Sequence, residues 1–185
     1  MTKTAERMLR LMDRATTLWH FPVIGREKGR VLTRLLAHRR PARAVEVGSL
    51  FGYSAILIAG HLPPGGRLTC VEANSYLAKF VESNLKEAGL GGRASVMVGD
   101  ARQVLPRLKG KIDFVLIDAA KEQYLDYLKA LEPRLTAGAV VVADNTKIFR
   151  RAVRGYLAHV RKGSRYVSRE CDFGSDAMEV SIVRA

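Results

Sequence analysis

Oxygen-bearing side chains follow two apolar runs of the sequence, at the point where each run ends. Asp118 follows the run Phe114–Ile117 and is followed in turn by Lys121, and Asp144 and Asn145 end the next apolar run. If the two runs are neighbouring parallel strands, these side chains meet at one edge of the sheet. Two carboxylates and an amide carbonyl are hard oxygen ligands that suit Mg²⁺. The structural alternatives are a turn at Asp144-Asn145 and a surface helix position for Lys121.

A second group of residues has the types and placement that a nucleotide-like ligand needs. The apolar run Ala44–Val47 leads into a turn that contains Gly48 and Gly52, and such a turn lets a ligand approach the backbone at the start of a helix. Glu72 ends the next apolar run, where doubly wound folds place an acid that holds ribose hydroxyls. The third run ends in Gly99-Asp100-Ala101, which suits an adenine edge. Together these residues predict a ligand site at the carboxyl ends of the strands.

Each acid in this group also has a purely structural interpretation. Glu46 could be a solvated charge at a strand end, Glu72 could cap the following helix, and Asp100 could be the N-cap of the helix after it. Two enzyme classes are disfavoured by spacing. Gly48 and Gly52 lack the third glycine of the GxGxxG dinucleotide fingerprint, and the residues after Gly52 lack the closing glycine of the GxSxG hydrolase elbow.

The elements that must position these residues alternate along the chain. Strands are predicted at Ala44–Val47, Leu68–Val71, Ser95–Val98, Phe114–Ile117 and Val140–Val142, with two closing strands near 165–169 and 179–183. Helices are predicted at Ala5–Leu18, Glu27–Ala37, Tyr53–Ala59, Ser75–Ala88, Arg102–Leu108, Lys121–Leu131 and Ile148–Val160. This order predicts an α/β fold, a doubly wound and mostly parallel seven-stranded sheet that ends in an antiparallel hairpin.

The charge is distributed unevenly. The 31 Lys and Arg residues exceed the 18 Asp and Glu residues to give a formal net charge of +13, which divides into +8 for residues 1–43, 0 for 44–146 and +5 for 147–185. The basic ends either solubilise the protein or attract an anionic partner, such as a phosphorylated small molecule, a coenzyme A ester or RNA. Because the proposed ligand residues lie in the neutral segment, any anionic partner is expected at the basic flanks.

Neither the cysteines nor the histidines have the spacing of a metal site. Cys70 and Cys171 stand alone in strand-like contexts and are expected to be buried thiols in a reducing compartment. The four histidines are also single, at positions 20, 38, 61 and 159, and are expected not to bind metal. No run approaches the length of a membrane span, and the first residues are charged rather than apolar. We therefore expect a cytoplasmic protein that does not bind membranes.

The sequence resembles the metal-dependent catechol and caffeoyl-coenzyme A O-methyltransferases. The resemblance runs from about Ile24 to Asn145 and continues weakly to the C-terminus. It is carried by Glu46-Val47-Gly48, Gly52-Tyr53-Ser54-Ala55, Gly99-Asp100-Ala101, Asp118-Ala119-Ala120-Lys121 with Tyr124 and Tyr127, and Ala143-Asp144-Asn145. Two flanking segments are similar as well, Ile24–Gly29 beside the methyl donor and Ser175–Glu179 in the closing hairpin, where Ala177 replaces the family's glycine.

The resemblance implies a class I, Rossmann-like methyltransferase fold and a role for each matched residue. S-adenosylmethionine would be bound by Ile24, Glu46, Gly48, Ser54, Glu72, Asp100, Ala101 and Asp118. Glu72 would hold the ribose, Glu46 and Ser54 the methionine moiety, and Asp100-Ala101 the adenine. Asp118, Asp144 and Asn145 would hold Mg²⁺ or another divalent ion, and the catalytic residues would be Lys121, as general base, and Asp118.

The domain organisation expected from the sequence is a single methyltransferase domain over residues 1–185. Residues 1–42 would form N-terminal helices on the substrate side, 43–146 the cofactor and metal core, and 147–185 the closing helix and hairpin. A homodimer is expected from the resemblance. Because helix-like sequence follows Asn145 at once, we expect an open acceptor site without a long covering insertion.

Three functions are compatible with these features. The first is methyl transfer to a hydroxyl of a small vicinal-diol phenol, of catechol or caffeoyl type, and the second is modification of a hydroxylated base in tRNA or another RNA. The third is a non-catalytic S-adenosylmethionine-binding module, which needs no metal ligands. The sequence has few of the aromatic side chains on which RNA bases stack, with aromatics at 7%, and this favours a small phenolic or anionic acceptor.

Overall fold

The computed structural model describes residues 1–19 and 21–185, so the prediction for His20 lies outside the described residues. The strands are β1 (Arg43–Val47), β2 (Arg67–Glu72), β3 (Ala94–Val98), β4 (Ile112–Ile117), β5 (Leu135–Ala143), β6 (Tyr166–Asp172) and β7 (Ala177–Val183). The helices are α1 (Lys3–Trp19), α2 (Gly25–Arg39), α3 (Tyr53–His61), α4 (Ser75–Glu87), α5 (Ala101–Val104), α6 (Tyr124–Leu131) and α7 (Arg154–Lys162).

All seven strands form one sheet, in the order β3-β2-β1-β4-β5-β7-β6. The five strands from β3 to β5 are parallel, and β7 is inserted antiparallel to both β5 and β6. The chain order reverses between β1 and β4, so a crevice opens above the carboxyl ends of these two strands. The predicted α/β fold with a closing antiparallel hairpin is confirmed.

The sheet is covered by helices on both faces, which explains the apolar runs in its strands. Alternate residues of β4 enter different cores: Phe114 and Leu116 pack with α1–α4, whereas Val115 and Ile117 pack with α5, α6 and α7. Because both faces are buried, the strand has no polar alternation. The charged residues that follow the carboxyl end of β4 therefore contrast clearly with the apolar run before them in the sequence.

Helix α1 contacts the core that the sheet forms with α2–α4 from Ala5 to Met12. Ala5 and Leu9 are buried, whereas Leu18 and Trp19 at the end of the helix are largely exposed. Asp13 joins three helices, because it accepts hydrogen bonds from Tyr53 Oη at 2.9 Å and from Arg26 Nε at 2.8 Å. Among the described residues, no helix has the length and apolar character to cross a membrane.

The chain after Asn145 differs from the prediction. The expected helix Ile148–Val160 begins only at Arg154, and residues 146–153 form turns. The turns are held against the closing hairpin: Thr146 N donates to the carbonyl of Ala177 at 2.9 Å, and the backbone N–H of Ile148 donates to Asp176 at 3.3 Å. The expectation that a helix follows Asn145 at once was wrong, because Thr146 and Ile148 donate to the hairpin and only isolated helical bonds, such as Phe149 N to the Asn145 carbonyl, remain before Arg154.

Candidate active site

The first cavity lies above the carboxyl ends of β1, β2, β3 and β4. It has a volume of about 620 Å³ and is lined by Val47, Gly48, Leu50, Val71, Glu72, Ala73, Leu77, Gly99, Asp100, Ala101, Asp118, Ala119, Ala120, Gln123 and Tyr127. We call it the cofactor cavity. Of the residues predicted to bind the cofactor, it brings together Gly48, Glu72, Asp100, Ala101 and Asp118.

Glu72, at the end of β2, shapes the floor of the cofactor cavity. Its Oε2 accepts the backbone N–H groups of Ser49 at 3.0 Å and Leu50 at 3.1 Å, and its Oε1 accepts that of Asn74 at 3.0 Å. The cap of helix α4 is Asn74, whose Oδ1 accepts the N–H of Tyr76 at 2.9 Å. Glu72 is therefore not the helix cap, and a carboxylate retains lone pairs for further hydroxyl donors.

The turn between β1 and α3 has a backbone that few residues adopt. Gly48 and Gly52 have φ values of +85° and +86°, and Leu50 between them has a φ of +49°. A positive φ is costly for a side chain such as leucine, and such strain gathers at ligand sites. The two hydrogen bonds from the turn to Glu72 hold this conformation.

Asp100 and Arg102 form an exposed pair at the adenine end predicted for the cavity. Asp100 is the N-cap of α5 and accepts the N–H of Arg102 at 2.8 Å, as the structural interpretation expected. Its carboxylate also pairs with the guanidinium of Arg102 at 2.7 Å, and this hydrogen bond lowers the pKa of Asp100. Asp100 nevertheless lines the cavity, so capping and ligand binding are compatible at this residue.

Glu46 lies beneath the two cavities rather than on their walls. It is fully buried, it accepts a hydrogen bond from the Ser49 hydroxyl, and its Oε1 has no hydrogen-bond partner. Burial raises the pKa of Glu46 to about 7, against the hydrogen bonds of Ser49, Ser54 and Cys70, which lower it. The prediction that Glu46 touches the methionine moiety stays a prediction, and the structure places Ser49 and Ser54 on the wall instead.

A second cavity adjoins the first and is smaller and partly apolar. Its volume is about 310 Å³, and it is lined by Pro22, Val23, Ile24, Gly48, Ser49, Leu50, Tyr53, Ser54, Asp118, Lys121, Asn145 and Phe149. We call it the acceptor cavity. Both cavities are lined by Gly48, Leu50 and Asp118. Two molecules bound in the two cavities would therefore lie next to each other at this shared wall.

Asp118 and Lys121 form an ion pair at the boundary between the cavities. Lys121 Nζ donates to Asp118 Oδ1 at 2.7 Å and to Tyr124 Oη at 2.8 Å. Tyr124 Oη in turn donates to the backbone carbonyl of Asp144 at 3.1 Å. The tyrosine therefore links the end of β5 to the lysine after β4. Its role is not evident from sequence, since a buried tyrosine on a helix is most often a core residue.

Asp144 is buried beside two other charged groups. Lys28 Nζ lies 2.6 Å from its Oδ1, and both side chains of this ion pair are largely buried. Burial and the charge of Asp118 raise the pKa of Asp144 to about 6, against the opposing effect of Lys28. The influence of Asp118 on Asp144 reflects the adjacency of β4 and β5.

The oxygens at this sheet edge fit a hard divalent ion. The buried carboxylate of Asp144, the carboxylate of Asp118 and the amide carbonyl of Asn145 are the donor types that Mg²⁺ takes. Among residues 1–19 and 21–185, no cluster of three or more His, Cys, Asp and Glu side chains is arranged to hold a metal, so an ion here depends on the amide and on water. Lys28 and Lys121 now neutralise the two carboxylates.

Asn145 has an unusual backbone and a fixed side chain. Its φ of +58° lies in the left-handed region, which asparagine tolerates better than most residues. Its Nδ2 donates to Asp176 Oδ2 at 2.7 Å, and Lys28 Nζ donates to the same oxygen at 2.5 Å. In the sequence, Lys28 and Asp176 appeared only inside the two flanking segments of the family resemblance, with no role of their own.

Some aromatic and histidine residues lie away from the cavities. Trp19 is 73% exposed, and Phe21 packs edge-on against Phe51 with ring centroids 5.0 Å apart. Neither lines the acceptor cavity, where Pro22 and Phe149 stand instead. His159 pairs with Glu132 at 2.8 Å on the far side of α7.

The sequence profile of the O-methyltransferase family matches residues 3–165 of the chain. The chain belongs to the O-methyltransferase family. It is 34% identical to the catechol O-methyltransferase of Sus scrofa over 85% of the chain and 86% of that protein. It is 33% identical to the catechol O-methyltransferase of Bos taurus over 86% of the chain, and it spans about 60% of the length of that relative.

Solved structures of other O-methyltransferases share the fold of this family member. The O-methyltransferase TomG of Streptomyces achromogenes, solved in complex with SAM, superposes with a TM-score of 0.86 at 25% identity, over 100% of this chain and 91% of TomG. The O-methyltransferase of Bacillus cereus, solved in complex with SAH, gives a TM-score of 0.85 at 24% identity, over 100% of this chain and 92% of that one. The resemblance read from the sequence motifs is thereby confirmed.

Proposed function

We propose that the protein transfers a methyl group from S-adenosylmethionine to a hydroxyl oxygen of a small phenol with vicinal hydroxyls. The observation that carries this proposal is the shared wall of the two cavities, formed by Gly48, Leu50 and Asp118. A methyl donor in the larger cavity then has its sulfonium beside an acceptor in the smaller one. Holding the two reactants in line supplies much of the rate acceleration of a methyl transfer.

The lining of the acceptor cavity supports an aromatic acceptor. Pro22, Val23, Ile24 and Phe149 offer apolar walls, whereas Asp118, Lys121 and Asn145 gather polar groups at one end. A ring would pack between the walls with its hydroxyls at the polar end. The names of the bovine and porcine relatives agree with a catechol, and no contact of the described residues favours RNA.

The chemistry requires one proton acceptor. In the transfer, the bond from the methyl carbon to sulfur breaks as the bond to the acceptor oxygen forms, and the hydroxyl proton must leave. Lys121 is the proposed acceptor of this proton, because its Nζ lies at the polar end of the acceptor cavity. The ammonium that pairs with Asp118 must first release one proton to solvent, and the resulting amine then takes the hydroxyl proton. Tyr124 fixes the Nζ by the 2.8 Å hydrogen bond.

A divalent ion, in the first instance Mg²⁺, is proposed to bind Asp118, Asp144 and Asn145. When bound, it would lower the pKa of a chelated hydroxyl. The residues of this chain contribute the three oxygen donors and the orientation of Lys121. A cytoplasmic location and a homodimer stay predictions from the sequence.

A labelled methyl-transfer assay tests the proposal. Labelled S-adenosylmethionine is incubated with catechol, caffeoyl-coenzyme A and total tRNA, each with Mg²⁺ or with EDTA. Mg²⁺-dependent transfer to catechol or caffeoyl-coenzyme A supports the proposal. Transfer to tRNA alone would refute the phenolic acceptor, and full activity in EDTA with trace metals verified absent would refute the metal.

A further inference from the structure

Asp176 is a buried carboxylate at the end of the closing hairpin, and the proposed mechanism gives it no role. It is 5% exposed and directly precedes β7. Its position is fixed by the turn before it, where Phe173 N donates to its backbone carbonyl at 2.8 Å. A carboxylate so buried needs partners, and three groups supply them.

The three partners come from three separate parts of the chain. Oδ2 accepts Lys28 Nζ at 2.5 Å, from helix α2, and Asn145 Nδ2 at 2.7 Å, from the end of β5. Oδ1 accepts the backbone N–H of Ile148 at 3.3 Å. The Lys28 ammonium and the two N–H donors compensate the burial of this carboxylate.

The contact with Asp176 determines which atom of the Asn145 amide faces away from it. Asp176 Oδ2 accepts the Lys28 ammonium at 2.5 Å, so it is a hydrogen-bond acceptor, and the amide atom 2.7 Å from it is the donor Nδ2. The carbonyl Oδ1 is left free of this contact, on a side chain that lines the acceptor cavity. A carbonyl oxygen is the atom that a hard cation binds, whereas the amide nitrogen is not.

The same carboxylate also holds the lysine that contacts Asp144. Lys28 Nζ lies between Asp176 and Asp144, at 2.5 Å and 2.6 Å. Without Asp176, the ammonium would have Asp144 as its one remaining carboxylate partner in this cluster and would neutralise it more completely. One side chain thus acts on two of the three proposed metal ligands.

We propose that Asp176 is a positioning residue for the metal site, which turns the Asn145 carbonyl toward the ion and shares the Lys28 ammonium with Asp144. The inference rests on the proposed metal dependence. The outer partners of metal ligands commonly change metal affinity by 10–100-fold, and Asp176 has the burial and contacts of such a partner.

The test measures Mn²⁺ binding, by electron paramagnetic resonance of the free ion, and S-adenosylhomocysteine binding by calorimetry. Asp176→Asn keeps the shape and removes the charge, and it is expected to raise the Kd for Mn²⁺ by roughly 10–100-fold while leaving the S-adenosylhomocysteine Kd within about twofold. Asp172→Asn is the matched control, because Asp172 on the same hairpin pairs with Lys147 at 3.0 Å but is exposed. It is expected to bind Mn²⁺ as the wild type does.

A double-mutant cycle separates positioning from general damage. Asn145→Gly removes the amide and tolerates the positive φ, so in that background Asp176→Asn should weaken Mn²⁺ binding much less than it does alone. Equal Mn²⁺ affinity of wild type and Asp176→Asn would overturn the inference, and so would full additivity in the cycle. If Asp176→Asn loses S-adenosylhomocysteine binding too, the charge-preserving Asp176→Glu decides: Mn²⁺ affinity close to that of the wild type supports the inference. Mn²⁺ affinity as weak as that of Asp176→Asn, with S-adenosylhomocysteine binding retained, would overturn it. A wild type that binds no Mn²⁺ would instead refute the proposed metal, and with it this inference.

Discussion

A Cβ atom added at Gly48 would lie 2.3 Å from the backbone carbonyl oxygen of Asp118. The turn after β1 and the end of β4 approach so closely that a side chain cannot stand between them. This approach makes Gly48 and Asp118 common to both cavities. The glycine therefore matters for two reasons, its positive φ and the closeness of a neighbouring strand.

Gly48→Ala is expected to destabilise the protein and to abolish S-adenosylhomocysteine binding. The positive φ costs about 1–2 kcal/mol for alanine, and the clash with Asp118 adds about 1–3 kcal/mol. Urea unfolding and calorimetry measure the two effects. Gly89→Ala is the matched control, because Gly89 has a φ of +72° with nothing within 4 Å of an added Cβ. If the two variants lose the same free energy of unfolding, the contact between the added Cβ and Asp118 does not contribute to the destabilisation.

Glu72→Ala is expected to weaken S-adenosylmethionine binding by roughly 1–3 kcal/mol, because the ribose loses a charged acceptor and the turn at Ser49-Leu50 loses its anchor. Calorimetry measures the affinity. Glu82→Ala on the exposed side of α4 is the control and should bind normally. An unchanged dissociation constant for Glu72→Ala would remove the residue from the site.

Lys121→Ala is expected to lower turnover by roughly 10²–10⁴-fold, the usual contribution of a positioned base, and to leave cofactor binding nearly intact. Part of the loss should return at high pH, where the acceptor ionises without help. The measurement is kcat across a pH series. Lys129→Ala, exposed on α6, is the control. A rate deficit that is constant over the whole pH range would argue against a proton-accepting role.

Asp144→Ala is expected to raise the Mg²⁺ concentration needed for half-maximal activity, and excess metal should partly restore turnover. The reason is that the variant loses one of two carboxylate donors. Titrations of activity against Mg²⁺ check this result, with the exposed Asp126→Ala as control. If the metal requirement does not change, Asp144 acts only as the partner of Lys28.

Glu46→Gln is expected to change how stability depends on pH. The pKa of Glu46 is raised by burial to about 7 in the folded state, above the value of about 4.3 expected in the unfolded chain. Between these values the folded state binds more protons than the unfolded state, so stability falls as pH rises. The ionised form costs up to about 4 kcal/mol above pH 7.

Urea unfolding of wild type and Glu46→Gln at pH 5 and pH 8 measures this effect. The wild type should lose more stability than the variant between the two pH values, because glutamine does not ionise. Parallel losses in both proteins would show that Glu46 does not titrate in this range.

The sequence by itself determined the order of the elements and the ends of the strands. Buried parallel strands are read as apolar runs, and the acids that follow them mark the carboxyl edge of the sheet. For this reason the sequence alone places Glu72, Asp100 and Asp118 at one edge of the sheet. The motifs around Gly48 and Asp118 also identified the family, which the comparisons confirmed.

Only the tertiary structure decided which side chains from distant parts of the chain contact Asp144 and Asn145. Lys28 reaches Asp144 because α2 packs beside α3, and Asp176 reaches Asn145 because β7 inserts between β5 and β6. The start of α7 differs from the prediction for the same reason, since the N–H groups of Thr146 and Ile148 donate to the hairpin rather than within a helix. Local patterns encode backbone preference and burial, whereas these contacts depend on how separate elements pack, and no short stretch of sequence contains that information.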